Sequence, residues 1–95
     1  MIIEKDIKWF KEFILPKLNK YEVEYKFFPE GDFGSCNRAS FESKEKDGYV
    51  DFWSSGWINV YLFDYIIEEE IINLLLEPHE IEKIDQAFQN LIKEL

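Results

Sequence analysis

His79 is the only histidine of the chain and Cys36 its only cysteine, so a nucleophile and base pair would have to be built around one imidazole or one thiol. A general base needs an oriented nucleophile within hydrogen-bond reach. Nothing in the order of residues sets one beside His79, which reads as a surface residue at the start of the last helix. Cys36 has no nearby lysine and no CxxC partner to lower its pKa, and reads as a buried structural thiol. Glu68-Glu69-Glu70 is a contiguous run without the alternating ligands and glycine of a calcium loop, and reads as a solvated turn or helix face. Asp32-Phe33-Gly34 repeats the metal-binding tripeptide of protein kinases in a chain far too short for that fold. Gly31 and Gly34 suggest a phosphate cradle, yet their loop holds acids and no lysine. Glu42 and Asp51, on neighbouring strands, are the one carboxylate pair suited to a hydrolase, but a flat sheet face lacks a concave pocket for substrate. The expectation is a protein that is not an enzyme and uses no cofactor or metal.

Charge points elsewhere. The 95 residues carry a net charge of −9, unevenly spread. Residues 1–20 hold five lysines against three acids, and residues 21–95 hold six bases against seventeen acids. Between Lys46 and Lys83 there is no Lys or Arg, while nine acids fall there, from Asp47 to Glu82. Direct nucleic-acid binding rests on Lys and Arg displacing counterions and needs the opposite sign. A basic protein partner suits this surface. No apolar run approaches the roughly 18 residues of a membrane span, and "MIIEKDIKWF" is charged where a signal peptide would be apolar. With a single cysteine, these features point to the cytoplasm.

Length and composition give one domain, 1–95, with 46% hydrophobic residues to build its core. A helix is expected from about Asp6, its cap, to Asn19, with Ile3, Ile7, Phe10 and Ile14 on one face and an early end near Leu15 forced by Pro16. "YEVEYKF" alternates strictly, with Tyr21, Val23, Tyr25 and Phe27 on one face, and reads as a half-buried strand. A loop through Pro29, Gly31 and Gly34 leads to a second strand, about Asn37–Ser43. Asp47-Gly48 is expected to turn the chain into a third, Tyr49–Ser54.

Parity decides the next hairpin. A three-residue loop, Ser54-Ser55-Gly56, pairs Trp53 with Trp57 and gathers Val50, Phe52, Ile58, Val60 and Leu62 on one side, with Gly56 in the left-handed position. Tyr49, Asp51, Trp53, Trp57, Asn59, Tyr61 and Phe63 then line the opposite face. After it, a turn through Glu68–Glu70 into a short strand, Ile71–Leu76, competes with a helical reading, and the strand is preferred because the apolar run is short and bounded. The closing helix has Pro78 in its first turn and Ile81, Ile84, Phe88, Leu91, Ile92 and Leu95 on one stripe.

The fold class is therefore α+β: two layers, an antiparallel meander of about five strands with an N-terminal and a C-terminal helix on one face. Five strands span roughly 24 Å and two helices cover about 20 Å. Both helices are used on one side, which leaves the aromatic face with nothing in the chain to cover it. So large an exposed apolar patch marks an interface; the alternative is that the helices straddle the sheet, one on each side, and the aromatics are ordinary core. Trp53, Trp57 and Tyr61 are its expected hot spot, with Asp51, Glu42, Glu68, Glu69 and Glu70 as an electrostatic rim.

This acidic, single-domain character, with the span "NRASFESKEKDGYVDFWSSGWINVYLFDY", is similar to the immunity proteins of bacterial toxin–immunity systems, including those of contact-dependent growth inhibition. The resemblance implies a protein that binds a cognate toxin domain, often a nuclease, tightly enough to block its active site. It carries over no active-site residue. Nuclease sites are basic because they hold phosphates, so an acidic surface is steered toward them. The alternative is a homodimeric structural or regulatory protein that spends the same face on itself. A small enzyme or ligand binder would need a pocket between sheet and helices.

Overall fold

The computed structural model describes residues 5–95. Ile3, expected on the first helix's apolar face, lies outside them. Asp6 caps α1 (Ile7–Phe13), its carboxylate accepting the Trp9 backbone N–H at 2.8 Å. The helix stops six residues short of Asn19, because Pro16 has no N–H and tightens the chain into a 3-10 turn, Leu15–Lys17. Five strands follow, β1 (Glu22–Phe28), β2 (Cys36–Glu42), β3 (Lys46–Trp53), β4 (Ile58–Asp64) and β5 (Glu69–Leu76), and then α2 (Ile81–Glu94). The sheet is an antiparallel meander in the order β1-β2-β3-β4-β5. No described helix is long and apolar enough to cross a membrane.

The β3–β4 hairpin has the expected three-residue loop. Val50 pairs with Val60 and Phe52 with Ile58, the Trp53 N–H donates to the Trp57 carbonyl, and Gly56 sits at φ +94°. The preceding turn is not at Asp47-Gly48. The chain turns three residues earlier, at Lys44-Glu45, where the Ser43 N–H donates to the Lys46 carbonyl at 2.8 Å and its hydroxyl accepts the Lys46 N–H at 3.1 Å. Gly48 is instead a strand residue on the helix side, where a Cβ would collide with the Tyr61 carbonyl oxygen and lie 2.9 Å from the Phe41 ring. Its glycine is the space into which Phe41 packs. The Tyr65–Glu68 turn likewise precedes the expected position, with Glu68 at φ +55° and Glu69 and Glu70 already in β5.

Both helices pack on one face. Phe10 and Ile14 of α1, Leu18 beyond it, and Ile84, Ala87, Phe88 and Leu91 of α2 join Ala39, Phe41, Val50, Phe52, Ile58, Val60, Leu62, Ile72 and Leu76 in one buried cluster. Phe52 touches both helices, edge-on to Phe10 at 6.2 Å and stacked on Phe88 at 6.2 Å. Trp9 meets Phe88 edge-on at 4.6 Å, and Lys5 pairs with Asp85, tying the helices together. Two details of α2 differ from the sequence reading. The helix begins at Ile81 rather than at Pro78, because the Glu80 side chain folds back to accept the Glu77 N–H at 2.9 Å. Ile81 and Ile92 are exposed, the buried stripe running through Ile84, Phe88 and Leu91.

Candidate functional site

Register fixes which side chains share the face away from the helices, here the outer face. Tyr49 pairs with Tyr61, Asp51 with Asn59 and Asp47 with Phe63, and on β3's other side Arg38 pairs with Asp51, Ser40 with Tyr49 and Glu42 with Asp47. β1 adds Glu22, Glu24, Lys26 and Phe28, and β5 adds Asn73 and Leu75. The sequence-predicted set from Tyr49 to Phe63 thus lies together on one face, and its two ends differ in kind.

At one end the tryptophans are covered, contrary to the expectation that nothing in the chain would reach them. The β1–β2 loop folds over, placing Phe33 flat on Trp57 at 4.4 Å and edge-on to Trp53 at 5.4 Å. The two loops are sewn together. Ser55 Oγ donates to the Phe33 carbonyl at 2.6 Å, the Ser35 N–H donates to Ser54 Oγ at 3.0 Å, and the Ser54 N–H donates to the Ser35 carbonyl at 2.8 Å. Gly34 permits this at φ +95°, where a Cβ would run into Ser54 Oγ. Trp53 and Trp57 end half-buried, and Trp53 Nε1 and Asn59 Oδ1 are enclosed without a hydrogen-bond partner among the described residues.

At the centre, Asp51 is 1% exposed and so is not a rim carboxylate. Arg38, the only arginine, grips it with both arms, Nε to Oδ1 at 2.6 Å and Nη2 to Oδ2 at 2.9 Å. The fork is what lets a carboxylate be buried here. The guanidinium also lies 4.1 Å from the Tyr49 ring centroid and 5.6 Å from that of Phe28, and Tyr49 stacks on Tyr61 at 5.0 Å. One row, Phe28, Arg38, Tyr49 and Tyr61, therefore crosses four strands. The Asp51 carboxylate bears on Cys36 too: burial first, and this neighbouring charge second, push the thiol up to about 12. We expect Cys36 to resist a thiol reagent at pH 8 until the protein is unfolded. Because the folded state keeps its proton above the ordinary value of 9.0, stability should fall as pH rises from about 9 toward 12, as a urea-denaturation series would show.

The other end is an acidic trough of about 490 Å³. Ser40 floors it, Glu22 and Glu24 form one wall, Tyr49 and Tyr61 the other, and Glu42 and Asp47 close the end. None of these four carboxylates pairs with a Lys, Arg or His among the described residues. Burial first, then Glu70 and Asp47, hold the Tyr61 hydroxyl's pKa up, and a hydrogen bond to Asp47 does the same for Tyr65. Among the described residues no three His, Cys, Asp or Glu side chains converge on a metal position. Glu42 and Asp51 do not form a carboxylate pair: Glu42 faces Asp47, and the four-residue offset in register separates the two by roughly 13 Å. Glu68, Glu69 and Glu70 are exposed, with Glu70 accepting a hydrogen bond from Asn73 at 3.0 Å. A comparison with known protein families, curated proteins and solved structures finds no match. Sequence reasoning missed Phe33, Arg38, Glu22, Glu24 and Asp47. The alternation of "YEVEYKF" already set Glu22 and Glu24 opposite the core, but only strand order shows them beside Tyr49.

Proposed function

We propose that this protein is an inhibitor of the immunity type, which binds a basic cognate toxin domain, a nuclease by preference, through its outer face and acts in the cytoplasm. The observation that carries the reading is the acidic trough. Four carboxylates without cationic partners among the described residues ring a cleft walled by two stacked tyrosines. They are spread along it rather than gathered on one point, so a set of spaced Lys and Arg side chains neutralises them where a single ion would not. A phosphate-binding surface presents such a set, and opposite charge speeds its encounter with this face. Tyr49 and Tyr61 supply aromatic area beside the charges, and Trp57 with Phe33 adds more at the far end of the same face, a combination from which interface hot spots are made. Chemistry on a substrate is not part of this reading, and the outer face is spent on binding.

The test is recovery of partners from the native cell with wild-type protein, Tyr61→Ala and Trp57→Ala, followed by a nuclease assay on what is recovered. We expect a basic nuclease, silent in the complex and active when released, bound at least 30-fold more weakly by each variant, the equivalent of about 2 kcal/mol. Failure to recover any basic partner, or full nuclease activity in the complex, would overturn the reading.

A further inference from the structure

β1 is an edge strand, hydrogen-bonded on one side to β2 and, among the described residues, open on the other. Six of its seven residues are exposed, including Tyr25 at 39% and Phe27 at 60% on the helix side. α1 lies mainly over β2, and Phe10 and Lys11 reach β1 at the Tyr25 ring, which stays 39% exposed. An open edge of this kind is a template for another strand. The question is which strand its side chains accept.

We infer that β1 pairs with β1 of a second copy, antiparallel and centred on Tyr25, joining two meanders into one ten-stranded sheet. A two-fold axis normal to the sheet keeps outer residues opposite outer residues, which restricts the register to those centred on a residue. Centring on Glu24 sets Glu24 against itself, and centring on Lys26 sets Lys26 against itself. Centring on Tyr25 puts Glu24 opposite the second copy's Lys26, twice over, with Tyr25 against Tyr25 and Val23 against Phe27 on the helix side. Directly opposed charges and aromatic pairs are the contacts that stabilise neighbouring strands. Whole-molecule charge agrees with this choice of edge. The lysine-rich residues 1–20 lead directly into β1, while the lysine-free acidic stretch belongs to β3, β4, β5 and the start of α2. Two copies with net charge −9 therefore meet away from the lysine-free stretch, with Lys26 of each facing the other's Glu24 on the trough wall. β5, the other edge, offers no such match: its charged positions, Glu69 and Glu70, are both acidic.

The pairing predicts its own rescue. By analytical ultracentrifugation from 1 to 100 µM, wild type should dimerise. Glu24→Lys and Lys26→Glu should each weaken the dimer about tenfold or more, by facing like charges. The double variant, Glu24→Lys with Lys26→Glu, should restore it. Circular dichroism on all four proteins separates loss of pairing from loss of fold, and these exposed positions leave the core untouched. A monomeric wild type at 100 µM, a dimer indifferent to the single changes, or a double variant no better than the singles would overturn the inference, and dimerisation lost in Tyr61→Ala would place the contact on the outer face instead.

Discussion

Arg38→Met should lower folding stability by about 3 kcal/mol, because it strands the Asp51 carboxylate in a site that water does not reach. The change removes a fork of two hydrogen bonds and the cation that lies on Tyr49. The one-third exposure of the Arg38 side chain admits some solvent to the vacated place, which sets the cost at the low end for a broken buried pair. Urea denaturation gives the number, and near-UV circular dichroism reports the tyrosine environment at the same time. A companion variant, Arg38→Met with Asp51→Leu, should recover most of the stability, since an apolar pair needs no neutralisation. It should not recover partner binding, because the tyrosine row has lost its cation. A loss below 1 kcal/mol in the single variant would mean that the pair does not hold the outer face together.

Phe10→Ala should cost about 4 kcal/mol. Phe10 is 0% exposed and is the α1 side chain that reaches the sheet centre, edge-on to Phe52 at 6.2 Å and to Tyr25 at 6.4 Å. Truncation loses the transfer of the ring and leaves a cavity that the short α1 cannot close. For a domain of this size such a loss lowers the melting temperature by roughly 15 °C or more, which calorimetry would register. If the midpoint moved by only a few degrees, α1 would not be a fixed part of the core.

Strand parity was legible in the sequence wherever a hydrophobic face had to be kept on one side. "YEVEYKF" and the run from Val50 to Leu62 leave one register that keeps Val50, Phe52, Ile58, Val60 and Leu62 together, and that register is the one found. Turn position was less legible. Asp47-Gly48 has turn composition, but the Ser43 hydroxyl competes for the same bend and Phe41 needs the space over Gly48. The Phe33 cap was not legible, because its stacking on Trp57 depends on two loops 20 residues apart being brought to the same end of the sheet. Nor was the Arg38–Asp51 pair. The residues lie 13 positions apart, and the acidic stretch suggested that Asp51 faces solvent, whereas the strand pairing supplies its counter-ion from a neighbour upstream.

The order β1-β2-β3-β4-β5 also bears on how the chain is made. Every strand pairs with its neighbour in sequence, so each hairpin can close as soon as its second arm is synthesised, with little loop entropy to overcome. The helix layer has the opposite property. α2, at the far end of the strands, covers the β4–β5 half of the core, including Ile58, Val60, Leu62, Ile72 and Leu76. The sheet precedes α2 along the chain, so half of its apolar side has no cover until α2 docks. Until then that uncovered half, rather than the strand edges, is the surface most open to aggregation.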